Sequence, residues 1–182
     1  MSIHPEYRSG VWRLDPNHSE LNFSIRHLAI SKVRGTFDSF AVTVQTFDDP
    51  QRSTIDCVIE VASVSTRQPD RDKHLRTGDF FLTQEFPQAT FRAVGFDQVE
   101  GDGFTITGDL TLRGVTKPVT LVGEFGGITV DASGNTRVGV TAQTQINRHD
   151  FGVSWNRALE AGGLTLGDDV AISLDLQLAL EH

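Results

Sequence analysis

The chain has 182 residues, of which 38% are hydrophobic and 22% are charged, and its formal net charge is −8. This length suits one domain over residues 1–182 with a sizeable core, and the negative charge opposes binding to nucleic acid or to an anionic membrane surface. No apolar run approaches the roughly 20 residues of a membrane-spanning helix.

The residues at the N-terminus predict no secretory signal, and those at the C-terminus resemble the start of a tag. Residues 1–10 form a polar N-terminal extension without the apolar core of a secretory signal, so we expect a cytoplasmic protein. Residues 180–182 match the start of a purification tag, and His182 is therefore left out of any candidate site.

Alternating apolar residues predict strands along most of the chain. After Trp12 and a turn over residues 15–19, the apolar residues Leu21, Phe23 and Ile25 alternate with polar ones. Because successive side chains of a strand point to opposite faces, this segment has one apolar face. The same pattern predicts further strands over residues 36–47, 54–62, 90–99, 104–112, 119–130, 137–148 and 170–180.

The charged segment over residues 66–78 has no such alternation. We expect a short helix that begins near Thr66 or Asp70, ends at Gly78 and lies across one end of the sheet structure. An alternative is a phosphate-binding basic face, which nearby carboxylates disfavour. Its members would be Arg71, Lys73, His74 and Arg76, and the carboxylates are Asp70, Asp72 and Asp79.

About eight strands in hairpin order, without strand–helix–strand alternation, predict an all-β, antiparallel sandwich or closed barrel with one or two short helices. The paired glycines Gly126 and Gly127 predict a bulge in one strand. Closure is favoured because the strand over residues 170–180 would otherwise be a long apolar edge. The apolar face on nearly every strand also fits a barrel with an apolar interior.

The aromatic and sulfur-containing residues favour a dry interior. Twelve phenylalanines against one tyrosine supply apolar rings without polar groups. Cys57 is the only cysteine, so no internal disulfide forms, and we expect it to be a small buried residue rather than a reactive thiol.

No catalytic, metal or cofactor motif is evident. The histidines lack the spacing of zinc ligands, and the side chains of the neighbours His18 and Ser19 diverge if they lie on a strand. His27 falls on the apolar face of its strand, where it is either a core residue or a hydrogen-bond partner for a ligand head group. Arg148 is interpreted as the structural partner of a carboxylate such as Asp150, and the alternative is that it belongs to a functional site.

Several motifs occur in order between Trp12 and Leu178. They are Trp12-x-Leu14-Asp15-x-x-His18-Ser19-x-Leu21-x-Phe23, Asp72-x-His74-Leu75-Arg76, Phe86-Pro87-x-Ala89-Thr90-Phe91, Gly108-x-Leu110-Thr111-Leu112-Arg113-Gly114 and Arg148-x-Asp150-Phe151-Gly152. With these motifs the chain resembles the YceI-like, polyisoprenoid-binding family.

The resemblance implies an eight-stranded, antiparallel, lipocalin-like barrel with an elongated apolar cavity. It implies a long-chain isoprenoid lipid as the ligand, either a polyprenyl diphosphate or an isoprenoid quinone, and a homodimer. From its motifs, His18, Ser19 and Arg113 become candidate ligand-binding residues. No catalytic residue, metal or cofactor is implied, and the role would be storage or transport of the lipid.

The remaining candidate ligand-binding residues are chosen mainly because strand alternation places their side chains on the inward faces of the strands. They are Leu21, Phe23, Ile25, His27, Phe91, Phe104, Ile106, Leu121, Phe125, Trp155, Ile172 and Leu174. Burial of about twenty methylenes contributes about 16 kcal/mol before the costs of binding, so an acidic protein can hold such a ligand without a cationic cluster. Two alternatives are an enzyme with His18 or His27 as general base, and a solid barrel filled by its own side chains.

Overall fold

The computed structural model describes residues 5–98 and 100–182, which form mainly β-strands. The strands are β1 (Gly10–Leu14), β2 (Glu20–His27), β3 (Ser31–Phe37), β4 (Phe40–Thr46), β5 (Thr54–Glu60), β6 (Val64–Ser65), β7 (Gln88–Val94), β8 (Asp97–Gln98), β9 (Gly103–Leu112), β10 (Val115–Val130), β11 (Thr136–Asn147) and β12 (Leu166–Leu180). The helix α1 covers Pro69–Leu75, and short 3-10 turns cover Pro16–His18, Pro50–Arg52, Val61–Ser63 and Arg148–Phe151.

The strands form one antiparallel sheet that closes on itself. The order around the sheet is β1-β4-β5-β7-β9-β10-β11-β12, and β12 pairs back with β1, for example through Leu180 and Trp12. The other half of β12 pairs with β2, so β1 and β2 act as one bent strand, as do β3 and β4. Counted in this way, and without the two-residue strands, the barrel has eight strands, which confirms the predicted fold.

Alternation along the strands separates the inside of the barrel from the outside. A cluster of inward side chains that includes Trp12, Val42, Phe91 and Leu178 is buried. Many other inward residues, such as Phe104 and Leu174, are only half-buried. The interior is therefore well packed in one region and less filled elsewhere.

The helix begins and ends at residues other than those predicted. Gln68 is the N-cap, and its side chain accepts a hydrogen bond from the Arg71 amide, while Arg76 rather than Gly78 is the C-cap. Thr66 has a different role, because its amide and hydroxyl both donate to the buried Asp72 carboxylate. That carboxylate therefore fixes the segment entering the helix.

Two members of the basic face that was considered as an alternative, Arg76 and His74, make contacts within the protein. Arg76 donates to the carbonyl oxygens of Ala62 and Val64, at 2.8 and 3.3 Å, and His74 Nε2 lies 2.8 Å from a carboxylate oxygen of Asp79. These contacts anchor α1 to the barrel.

Two predictions about strand continuity have different outcomes. The predicted strand over residues 36–47 is interrupted at residues 38–39, where the Asp38 carboxylate accepts a hydrogen bond from the Thr36 hydroxyl at 2.6 Å. The predicted glycine bulge is confirmed, since the β10–β11 register shifts between Phe125 and Gly127 and Gly127 has φ of +107°. Within the described part of the chain, no helix is both long and apolar enough to cross a membrane.

Candidate functional site: an apolar cavity in the barrel

The interior of the barrel contains a cavity of about 760 Å³. It extends along β12 from Val170 to Leu178, both of which line it. Eight residue steps at about 3.3 Å, on a strand tilted by about 40°, correspond to about 20 Å along the barrel axis. The cavity is therefore elongated, as an extended hydrocarbon chain would require.

Most of the candidate ligand-binding residues face this cavity. Every residue that was chosen by strand alternation lines the cavity. Trp155, in the loop before β12, lines it as well. These twelve residues are Leu21, Phe23, Ile25, His27, Phe91, Phe104, Ile106, Leu121, Phe125, Trp155, Ile172 and Leu174.

The three candidates taken from family motifs lie elsewhere. His18 Nδ1 lies 2.9 Å from an Asp15 carboxylate oxygen, and the histidine side chain is 63% exposed. The Ser19 hydroxyl accepts a hydrogen bond from the Gln177 amide at 3.0 Å. Both residues therefore stabilise the bend between β1 and β2 rather than line the cavity.

Arg113, the third of these candidates, lies in the turn between β9 and β10. Its guanidinium donates to the carbonyl oxygens of Phe80 and Gly152, at 2.9 and 3.1 Å. The side chain thus connects the segment after α1 with the segment after β11, and it does not line the cavity.

Asp15 also belongs to an ion-pair network on the barrel. Arg137 donates to Asp15 and to Asp131, each at 2.6 Å. The pKa of Asp15 lies below its usual range, mainly because of the hydrogen bond with His18. The pKa of Asp131 is also lowered, mainly by the hydrogen bond from Arg137. The network ties the β1–β2 bend to the β10–β11 hairpin.

The volume of the cavity excludes the solid barrel considered above. Inward residues such as Ile106 and Leu121 are half-buried because they face this open space. The lumen is therefore open space within the fold rather than a solid core.

Glycines opposite phenylalanines shape the wall of the cavity. Phe23 pairs with Gly35 across β2 and β3, and Phe104 pairs with Gly123 across β9 and β10. A methyl group on either glycine would collide with the ring of its partner. The rings therefore cover the neighbouring backbone, which leaves the lumen open.

An aromatic cluster covers the end of the barrel at which α1 lies, called the helix end below. The His74 ring packs edge-on against Phe80 and Trp155, with centroid distances of 5.0 and 4.9 Å, and the latter two rings are 5.3 Å apart. All three residues line the cavity. They form an apolar cover in which one titratable ring is placed.

The opposite end, called the N-terminal end, is formed by the segment before β1 and by two loops. The Tyr7 hydroxyl donates to the Phe47 carbonyl oxygen at 2.7 Å and lies 3.0 Å from the Ser53 hydroxyl. The ring of Phe96 lies between Tyr7 and Phe104, with centroid distances of 6.1 and 6.4 Å. Part of the predicted polar extension thus packs at the cavity.

The two ends of the cavity differ in charge. Two arginines line the helix end and, among the described residues, no carboxylate lines it, whereas three carboxylates and one arginine line the N-terminal end. The helix-end residues are Arg71 and Arg148, with the histidines His27 and His74, and those of the N-terminal end are Arg8, Asp48, Asp49 and Asp102. The charged side chains that line the cavity are therefore unevenly distributed between its two ends.

Arg148 is buried, and its observed partners differ from the prediction. Its guanidinium donates to the carbonyl oxygens of Gly167, Val153 and Trp155, at 2.8–2.9 Å. The predicted ion pair with Asp150 is absent among the described residues. A carbonyl cage rather than a carboxylate holds the side chain.

Cys57 faces the cavity from β5. It is buried, as predicted, and burial raises the pKa of its thiol to about 12. The thiol is therefore neutral at physiological pH and contributes to the apolar lining.

Some lining residues have no counterpart in the sequence predictions. Tyr7, Phe37, Phe80, Phe81 and Phe96 all face the cavity. All but Phe37 come from loops or from the segment before β1, where strand alternation provides no information. The excess of phenylalanine in the sequence was a general signal for the four phenylalanines, and it did not point to Tyr7.

Comparisons with known proteins agree with this fold. The YceI-like domain family matches residues 12–178. UPF0312 protein SA2479 of Staphylococcus aureus (strain N315) is 36% identical over 170 residues, which cover 92% of this chain and 96% of that protein.

Two solved structures have the same fold. Burkholderia cenocepacia BcnA superposes with a TM-score of 0.78 at 20% identity, covering 90% of this chain and 98% of that one. A polyisoprenoid binding domain from Saccharophagus degradans, implicated in plant cell wall breakdown, superposes with a TM-score of 0.68 at 18% identity. The superposition covers 93% of this chain and 98% of that one. By its sequence and by its fold, the chain belongs to the YceI-like domain family.

Proposed function

We propose that this protein binds a long-chain isoprenoid lipid in its barrel without catalysing a reaction, and that it stores or transports the lipid. The observation that carries this proposal is the elongated cavity of about 760 Å³ with a wall of apolar side chains. The Saccharophagus degradans domain of the same fold is described as polyisoprenoid binding, which supports the same ligand class.

The energetics favour reversible exchange with a membrane. Burial of about twenty methylenes gives about 16 kcal/mol relative to water, close to the practical limit of about 18–21 kcal/mol for non-covalent affinity. Because the lipid tail is equally well solvated in a bilayer, the net free energy of transfer to the protein is small. Such a balance suits a carrier or a reservoir. The cytoplasmic location and the dimeric state stay predictions.

The enzyme alternative has less support. His18 is outside the cavity and paired with Asp15, so it has no access to a substrate held there. His27 does line the cavity, but the surrounding wall offers mainly apolar side chains. Binding therefore accounts for the site more fully than catalysis.

A binding titration tests the proposal. We expect delipidated protein to bind geranylgeraniol with a change in tryptophan fluorescence, because Trp12 and Trp155 both line the cavity. Ala142→Phe places a ring in the lumen from β11 and should weaken binding at least tenfold. Ala41→Phe, on the exposed outer face of β4, is the matched control. Equal affinity in wild type and both variants would contradict binding in the lumen.

A further inference from the structure

A buried cation faces the cavity with part of its hydrogen-bonding capacity unused. The Arg148 side chain lines the helix end, and only 4% of the residue is exposed. Nε and Nη1 donate to three carbonyl oxygens. The guanidinium is thus held firmly by three carbonyl oxygens, and Nη2, which has almost no accessible surface, has no hydrogen-bond partner within residues 5–98 and 100–182.

No carboxylate of the described residues forms a direct ion pair with this guanidinium. Asp168 contributes a favourable charge interaction, but its carboxylate lies 2.8 Å from His149 Nε2. Burial lowers the pKa of Arg148, and the charge of Asp168 opposes this effect. A buried charge without a close partner is costly, and a donor left unsatisfied adds to the cost. Both costs are relieved when an anion binds.

We propose that Arg148 Nη2 binds an oxyanion of the lipid head group, so that the lipid enters with a phosphate or diphosphate at the helix end and its tail towards the N-terminal end. This inference rests on the proposed function and selects an anionic isoprenoid over a quinone. A quinone oxygen accepts a hydrogen bond, but it does not neutralise the buried charge. Phosphate oxygens do both.

The charges around the cavity support this orientation. Arg71 also lines the helix end, where its guanidinium donates to the hydroxyl and the carbonyl oxygen of Thr66 at 2.7 and 2.9 Å. At the other end, Asp48 and Asp49 line the cavity and repel a phosphate. The reverse orientation would place like charges together and leave Arg148 unpaired.

Two ligands with the same C20 tail separate the head-group contact from tail binding. Wild-type protein should bind geranylgeranyl diphosphate at least tenfold more tightly than geranylgeraniol, because the added bond is charge-assisted. Arg148→Gln should abolish this preference and retain the affinity for the alcohol. The control Arg92→Gln changes an exposed arginine on the outer wall and should keep the preference.

Each outcome decides a different question. If wild type binds neither ligand, the proposed function is wrong. If wild type binds both equally, or if Arg148→Gln keeps the preference, the head-group inference is overturned while lipid binding stands. An equal loss of affinity for both ligands in Arg148→Gln assigns a purely structural role to the arginine.

Because Arg148→Gln also removes bonds to three carbonyl oxygens, a second test uses the wild-type protein. A crystal structure with geranylgeranyl diphosphate should place a phosphate oxygen within hydrogen-bonding distance of Nη2. A diphosphate at the end with Asp48 and Asp49 would overturn the inference.

Discussion

At the scale of single residues, the cavity controls the chemistry of the groups that face it. Cys57 and Arg148 both carry an ionisable group into an apolar space, and in each case burial disfavours the charged form. The thiol responds by staying neutral, whereas the guanidinium stays charged and is stabilised by carbonyl oxygens. The neutral thiol of Cys57 therefore adds only apolar surface to the cavity, whereas the guanidinium of Arg148 adds a positive charge.

Thiol reactivity provides a direct check of this difference. With a pKa of about 12 in the folded protein and about 8.5 when unfolded, Cys57 should react with a soluble thiol reagent at pH 8.5 about a thousandfold more slowly than in denaturant. Its reaction rate should rise about tenfold per pH unit up to pH 10. Fast reaction of the folded protein at pH 8.5 would show that the thiol is not buried.

The same pKa shift fixes the sign of a stability effect. Because the folded pKa is above the unfolded value, the contribution of Cys57 is fully present below about pH 8.5 and is lost as the pH rises towards 12. The free energy of unfolding should therefore fall more steeply with pH in the wild type than in Cys57→Ala over this range.

At the scale of elements, pairs of glycine and phenylalanine on neighbouring strands determine the width of the lumen. Gly35→Ala should force the Phe23 ring off β3 towards the lumen. We expect weaker binding of geranylgeraniol and a stability loss of about 1–3 kcal/mol from overpacking. Fluorescence titration and denaturant unfolding measure the two effects.

Gly139→Ala is the control for this substitution. A methyl group at Gly139 in β11 meets no other atom within 4 Å, so binding should be unchanged and stability should change by less than about 0.5 kcal/mol. If Gly35→Ala bound the lipid as well as Gly139→Ala does, the rings would not set the width of the lumen.

The strands were predictable from the sequence, but the two ends of the barrel were not. Alternation identifies inward residues such as Phe104 and Ile172 because a strand has only two faces. The loops have no such period, so the positions of Phe80 and Phe96 depend on tertiary contacts. Arg148 was assigned a carboxylate partner because charges close in sequence are the obvious pairs. In the fold, its partners are backbone carbonyls of later residues.

The family motifs also predicted the residues that line the cavity less well than strand alternation did. His18, Ser19 and Arg113 belong to recognisable motifs, yet their contacts hold the β1–β2 bend and the helix end in place. Their side chains keep the barrel in shape around the lumen. The motifs therefore carried the family resemblance, whereas strand alternation predicted residues that line the cavity.

At the scale of the whole molecule, the barrel encloses an apolar cavity, and the charged groups that line its two ends differ. The strands provide the apolar surface, the aromatic cluster with His74 covers one end, and carboxylates such as Asp48 lie at the other. Closure pairs β1 with β12, so these two strands are not left as free edges. The architecture therefore combines a closed barrel with an apolar interior whose two ends are lined by different charged groups.

Native mass spectrometry tests the central claim most directly. The purified protein should show a mass that corresponds to one lipid per chain. Organic extraction should remove this added mass, and incubation with geranylgeranyl diphosphate should restore a mass of one lipid per chain. A well-folded protein that stays empty and takes up no lipid under these conditions would contradict the account.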